Sequence, residues 1–291
     1  MLKIKFALIM FALIIFVSLI VIPVTQAGNT LYFGVIPLES QDIMFKKFIP
    51  LAKYLEKELG MGVELVIGKD YQDTMDAIGG NKIQMAYLTP TTYPKSKKQN
   101  PDSDIRSLVR FQSKGHGTYR SCIIVPIDGD AEGVADLKGK KFAFGSKNST
   151  SSHLMPRSIL AAKGIQFKDI QAEYLGSHSN VAAAVSAEQF AGGGVKESVA
   201  EKFAADEEVR ILVKSAPIPE FPICINKHVS SELETKIVAA FKKLNTGSDD
   251  AKTVMTAINK KYTGVEDATD EDYDVIRTMI LNLYGEAFYN K

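Results

Sequence analysis

The chain has only two cysteines in 291 residues, Cys122 and Cys224, and their spacing suits neither a zinc site nor a thioredoxin-type redox pair. It also lacks an excess of either charge. The 35 Lys and Arg oppose 34 Asp and Glu, a formal net charge of +1. No global field therefore attracts nucleic acid or acidic lipid, and any bound anion must be held by local geometry. A His-Glu-x-x-His pair, a nucleophile elbow and an acidic cluster suited to a metal are all missing. Their absence removes the usual hydrolase constellations and implies no catalytic residue, metal or cofactor. There is no internal repeat and no low-complexity stretch, and after the first 24 residues no apolar run is long enough to span a bilayer.

That first segment is the most apolar part of the chain. Lys3 and Lys5 open it, Phe6 to Val24 is nearly unbroken apolar sequence, and Thr25-Gln26-Ala27 places small residues at the −3 and −1 positions of a cleavage site. A basic start, an apolar core and a small-residue exit, in that order, predict a signal peptide over residues 1–27 and export from the cytoplasm. At 19 residues the run could also serve as an uncleaved membrane anchor. The lack of a cysteine at the junction argues against a lipid anchor. The two cysteines both lie in apolar strand-like runs, where they read either as buried small hydrophobes or as an inter-strand disulfide.

About 264 residues follow, enough for two lobes. Thr30 to Ile36 reads as a strand. Met44, Phe48, Ala52, Leu55 and Leu59 recur at helical spacing up to Gly60, with Pro50 implying a kink or a late start. Strands at 62–67 and 83–88 flank a helix at 71–78, which gives β-α-β-α-β and hence a parallel sheet with crossover helices. A buried strand spans 121–126, and the Gly- and Asp-rich stretch 127–135 reads as a crossing. A second unit of the same style begins at Leu137, with strands at 141–145, 173–175, 189–195 and 210–215 and helices at 152–163 and 180–187. Three prolines in 216–222 mark a stiff return crossing. A strand at 223–226 follows, and the remainder reads as helical. The expected architecture is a two-lobed α/β fold. Lobe 1 holds 28–127 plus 220–291, lobe 2 holds 128–219, and the C-terminal helices pack on lobe 1. Ligands in such folds sit where strand C-termini and helix N-termini meet across the cleft.

The most informative local sequence is Phe144 to Ser152, where a strand runs into consecutive hydroxyl residues just before a helix. The first turn of a helix leaves its N–H groups unpaired and partially positive. Added hydroxyl donors make that turn a socket for a tetrahedral oxyanion. Any single Ser or Thr there would serve as an ordinary N-cap, but capping does not call for four hydroxyls in a row.

Several segments together resemble the phosphate/phosphite/phosphonate-binding family of ABC-transporter substrate-binding proteins. They are Phe33-Gly34-Val35-Ile36-Pro37 with Glu39-Ser40-Gln41, Pro50 to Leu55, Asp70-Tyr71, Ala86-Tyr87, Ser149-Thr150-Ser151, Gly176-Ser177-His178 and Ile218-Pro219. Their order and spacing, rather than any one piece, carry the likeness. The resemblance implies a periplasmic-binding-protein fold of type II in an extracytoplasmic monomer. Its ligand would be a small phosphorus oxyanion and its partner an ABC permease. Ser149, Thr150, Ser151 and His178 would grip the anion from one lobe, Tyr71 and Tyr119 from the other. A His in the cleft could also gain charge when the anion arrives.

Two departures stand out. Family members that take aminoalkylphosphonates carry acidic residues for the ammonium group. At one such place this chain has Phe221, and the other falls at Glu197 or Ser198. The loss of a carboxylate shifts the expected ligand toward phosphite, methylphosphonate or phosphate. The usual acidic residue before Ala86 is replaced by Gln84. Two other readings of the chain are a receptor of the same fold serving a sensor kinase or chemotaxis system, and, more remotely, a hydrolase with Ser149 and His178 as nucleophile and base.

Overall fold

The computed structural model describes residues 30–290, so the leader expected over 1–27 lies outside the described residues. In chain order the elements are β1 (Leu31–Val35), α1 (Gln41–Leu59), β2 (Val63–Ile67), α2 (Tyr71–Gly79), β3 (Met85–Tyr87), α3 (Thr92–Gln99), β4 (Arg106–Ser113), β5 (Thr118–Tyr119) and β6 (Ser121–Pro126). They continue through β7 (Lys141–Phe144), α4 (Met155–Ala162), β8 (Gln171–Tyr174), α5 (His178–Ser186), β9 (Gly192–Lys196), α6 (Glu197–Ala205), β10 (Val209–Lys214), β11 (Ile218–Pro219) and β12 (Pro222–Ile225). The last are α7 (Ser231–Lys243), α8 (Asp249–Ile258), β13 (Tyr262–Asp267) and α9 (Asp274–Tyr284). Among the described residues no helix is long and apolar enough to cross a membrane.

Two mixed sheets form the two lobes. The first has the order β13-β4-β12-β3-β1-β2, and the second β10-β6-β9-β7-β8. β1, β2 and β3 run parallel, as do β7, β8 and β9. Each sheet is covered on both faces, which the alternation of single strands makes plain. On β12, Ile223 and Ile225 join the core beneath α1 and α7, while Cys224 joins the opposite core around Tyr71, Ile78 and Tyr93. On β6, Cys122 and Ile124 face α5, while Ile123 and Val125 pack with Phe142, Phe144 and Leu160. The cysteines thus belong to different sheets and are two buried free thiols, which settles the disulfide alternative.

The passages between lobes differ from the expected ones. β6 lies inside the second sheet, paired with β9 and β10. Its six residues are all buried, as befits a strand with neighbours on both sides. The first passage therefore precedes β6. It forms a two-stranded ribbon with the return passage, in which Tyr119 pairs with Ile218 and Thr118 with Pro219. The Gly- and Asp-rich stretch 127–135 is instead a turn within the second lobe, where Arg210 Nη2 donates to Gly129 O and Ala131 O.

Besides the short strands of the ribbon, three elements escaped the sequence reading. The C-terminal part is not all helical, since β13 forms the edge of the first sheet beside β4. β4 itself carries Arg106 and Arg110, whose charges hide its strand pattern. Arg106 is held by Glu234 (2.5 Å) and Arg110 by Glu266 (2.6 Å). α6 follows β9 without a break. At Pro50, α1 runs through the proline from Gln41, which rules out the late start. Gly60 closes that helix with φ of 64°, a conformation glycine adopts without steric cost.

Candidate functional site

The sequence-predicted residues converge because of where they sit on their elements. Ser149 caps the helix that starts at Thr150, Tyr71 is the first residue of α2, and His178 is the first residue of α5. Three helix N-termini therefore open on one place, each with unpaired N–H groups and the positive end of its dipole. Between the lobes runs a groove of about 570 Å³ lined by Pro37, Ser40 and Tyr71 on one side and Gly145, Ser146 and Ser177 on the other. A smaller cavity of about 30 Å³ is bordered by Leu38, Tyr87, His178, Lys196 and Tyr262.

The hydroxyls of the Ser149–Ser152 run have different jobs. Ser149 Oγ accepts from Ser152 N–H at 3.1 Å and so is the helix cap. Ser152 is structural: its hydroxyl accepts from Gly145 N–H at 2.8 Å and donates to Gly194 O. The helix can lie this close to β9 because Gly194 has no side chain; a Cβ there would come within 2.3 Å of Pro156. Thr150 reaches across the cleft, where its Oγ1 accepts from Thr91 N–H at 2.9 Å and shares a second bond of 2.9 Å with Thr91 Oγ1. Ser151 is the exception, since its buried hydroxyl has no partner.

Two tyrosines share that condition. Tyr71 and Tyr119 are buried, and neither hydroxyl makes a hydrogen bond. Tyr71 is directed at Ser149, and Tyr119 at Ser151 and Thr150, short of bonding geometry. Burial pushes both phenols above their ordinary pKa, so they stay protonated as donors. An unmet buried hydroxyl costs about 1–3 kcal/mol. Three of them around one helix terminus form an arrangement completed by an acceptor with several oxygens. Tyr119 comes from the β5–β11 ribbon between the lobes and not from the first lobe's sheet.

His178 is fully enclosed. Its Nδ1 accepts from Lys196 N–H at 2.9 Å, which places the ring proton on Nε2, 3.3 Å from Ser149 Oγ. Burial, and then the nearby Lys196 and Lys47, pull its pKa down to about 3. The expectation that it gains charge is thus corrected: protonation would need the nitrogen already held by Lys196. His178 is a neutral donor. For the same reason it cannot serve as a base for Ser149, and the hydrolase reading lapses.

His153, on the helix behind the socket, is also held neutral. Its Nδ1 donates to Lys147 O at 2.6 Å, and Nε2 faces the Tyr284 and Tyr174 hydroxyls at 2.7 and 3.1 Å. Burial, with smaller contributions from Arg157, Lys147 and Lys95, pulls its pKa down to about 4. Both histidines take up protons more readily when unfolded, so stability must fall as pH drops below about 6.5. Each should contribute about 1.4 kcal/mol per pH unit between pH 6 and 5. Urea unfolding of the ligand-free protein should show that slope reduced by about half of its histidine part in His178→Gln, and an unchanged slope would contradict the assignment.

Glu197 does not reach the site. Its carboxylate is held by Lys214 at 2.8 Å on the outer side of β10. Gln84 is also remote: its amide bonds Tyr32 N–H at 3.2 Å and Asn81 O at 3.2 Å, tying the start of β1 to a turn. Sequence reasoning missed two residues beside the site: Lys196, which borders the cavity, and its partner Glu220. Lys196 and Glu220 form a buried ion pair at 2.7 Å, with side chains 6% and 1% exposed. Lys196 directly precedes Glu197 and Glu220 directly precedes Phe221, so the signal was one position from the residues singled out.

The lobes touch across the cleft. Besides the Thr91–Thr150 pair, His178 N–H donates to Leu38 O at 3.0 Å and Lys95 Nζ to Asn148 Oδ1 at 2.8 Å.

Residues 33–273 match the family described as ABC transporter, phosphonate, periplasmic substrate-binding protein. The probable ABC transporter phosphite binding protein of Prochlorococcus marinus is 27% identical over 62% of this chain and 62% of its own length. The phosphate-import protein of Mycolicibacterium smegmatis is 24% identical over 86% of this chain and 84% of its own. The phosphonates-binding periplasmic protein of Escherichia coli is 27% identical over 74% and 66%. The crystal structure of the Prochlorococcus protein in complex with methylphosphonate superposes with a TM-score of 0.78 at 20% identity, covering 88% of this chain and 98% of that one. At that identity the likeness establishes the two-lobed periplasmic-binding-protein fold. The family match spans most of the chain, so the protein belongs to the phosphonate-binding periplasmic components of ABC transporters, proteins that bind their ligand outside the cytoplasm and are not enzymes.

Proposed function

We propose that this protein captures a small phosphorus oxyanion in the inter-lobe cleft and delivers it to an ABC permease. The observation that carries this reading is the set of three buried, partnerless hydroxyls, Tyr71, Tyr119 and Ser151, gathered at the helix terminus capped by Ser149. A tetrahedral oxyanion has enough lone pairs to accept from all three, from His178 Nε2 and from the free N–H groups of the first helical turn. Charge-assisted bonds of this kind are worth about 1.5–3 kcal/mol each. Seclusion from water strengthens them further.

Capture would begin on the second lobe, at the Ser149–Ser151 turn. Rotation about the β5–β11 ribbon would then bring Tyr71 down and form the Thr91–Thr150 latch. The permease would recognise the closed pair of lobes. Calorimetry and thermal shift on protein exported with its own N-terminal segment test the reading. The panel is phosphite, phosphate, methylphosphonate and sulfate. Millimolar addition of at least one phosphorus oxyanion should raise the melting temperature in proportion to ln(1 + [L]/Kd). No response to any of them would overturn the proposal.

A further inference from the structure

The buried Lys196–Glu220 pair has no role in the anion socket itself, yet it stands next to it. Lys196 ends β9 and Glu220 lies in the return passage, so the pair spans the lobes. The ammonium is boxed by two ring faces, Phe221 at 4.1 Å and Tyr119 at 4.4 Å. Glu220 Oε1 also accepts from Phe221 N–H at 3.1 Å. Tyr119 connects this box to the socket: its face lies against the ammonium while its hydroxyl is directed at Thr150 and Ser151. The cation is thus one tyrosine ring away from the unpaired hydroxyls.

A carboxylate and two aromatic faces are what a protein uses to receive a primary ammonium group. Here the chain supplies that ammonium itself. The carboxylate that lines the cavity, Glu39, is likewise taken by Lys47. Asp70, further out in the groove, accepts from Asp73 N–H as the cap of α2. The cavity next to Lys196 is small, about 30 Å³. A ligand amine would find these carboxylates occupied and would add a second cation beside the Lys196 ammonium, where a charge without a partner is costly.

We infer that Lys196, held on Glu220 between Tyr119 and Phe221, is a specificity-determining residue whose side chain takes the place of a ligand's cationic substituent, so that the site accepts only small phosphorus oxyanions without an amine. This rests on the cleft being the oxyanion site proposed above. Calorimetry with methylphosphonate, propylphosphonate and 2-aminoethylphosphonate separates the two ideas. The native protein should bind methylphosphonate at least about 100-fold more tightly than 2-aminoethylphosphonate. Lys196→Ala empties the box and frees Glu220, and should move the ratio of 2-aminoethylphosphonate to propylphosphonate affinity at least about tenfold toward the amine. Lys196→Ala/Glu220→Ala should cancel that move. Equal native affinities for methylphosphonate and 2-aminoethylphosphonate would overturn the inference and leave the oxyanion reading intact. No native binding of any phosphonate would overturn both. The native protein can overturn the inference even if an alanine variant fails to fold, because it should also bind propylphosphonate more tightly than the isosteric 2-aminoethylphosphonate.

Discussion

Replacing Tyr71 and Tyr119 by Phe and Ser151 by Ala should abolish oxyanion binding while leaving the ligand-free protein at least as stable as before. This combination is unusual, because deleting buried polar groups normally destabilises. It follows from the partnerless state of all three hydroxyls. No protein hydrogen bond is lost when they go, and each deletion removes an unmet donor whose burial costs about 1–3 kcal/mol. In the complex each would give a charge-assisted bond of about 1.5–3 kcal/mol, so each single variant should lose roughly 10- to 150-fold in affinity. The triple variant should fall below detection by calorimetry. Urea unfolding without ligand and titration with the preferred oxyanion measure the two halves. A clear loss of stability in the triple variant would mean that the hydroxyls serve the fold. Ser149→Ala should behave differently, losing about 1 kcal/mol of stability as well as affinity, because Ser149 caps the helix.

The second large effect concerns the buried pair. Glu220→Gln leaves the Lys196 ammonium enclosed without its counter-charge, and should cost about 3–5 kcal/mol of stability near pH 7. Burial already lowers the pKa of Lys196 even with Glu220 beside it. Without Glu220 the folded protein should shed that proton at a still lower pH than the unfolded chain, so the loss should shrink as the pH is raised. Lys196→Met/Glu220→Gln removes both charges and keeps the packing against Tyr119 and Phe221, so it should recover most of the loss. Denaturant unfolding of the two variants at neutral and alkaline pH is the check. A double variant as unstable as the single one would show that the charge is not the cause.

The fold was largely legible because its pattern is local. β1 through β3 announce themselves by apolar runs punctuated by glycine, and the helices between them by their spacing. Where the reading failed, long-range pairing decided the outcome. β6 looks the same in sequence whichever sheet receives it, and only its pairing with β9 and β10 assigns it to the second lobe. β4 was hidden by Arg106 and Arg110, whose partners Glu234 and Glu266 are distant in the chain. The site followed the same rule. Ser149 to Ser151 could be named because they lead into a helix, a feature with a sequence signature, whereas Tyr71, Tyr119 and His178 were named only by the family resemblance. Lys196 and Glu220 carry no such mark, since a lysine at the end of a glycine-rich strand acquires its meaning only when the return passage brings a carboxylate to 2.7 Å.

The central claim is that one oxyanion completes the hydroxyls gathered at the Ser149–Ser151 turn. A crystal structure of the protein with methylphosphonate tests it most directly. The predicted result is a phosphonate whose oxygens lie within about 3 Å of Tyr71 Oη, Tyr119 Oη, Ser151 Oγ and His178 Nε2, with the Lys196–Glu220 pair intact beside it. A phosphonate bound elsewhere, with these hydroxyls bonded to one another, would contradict the account.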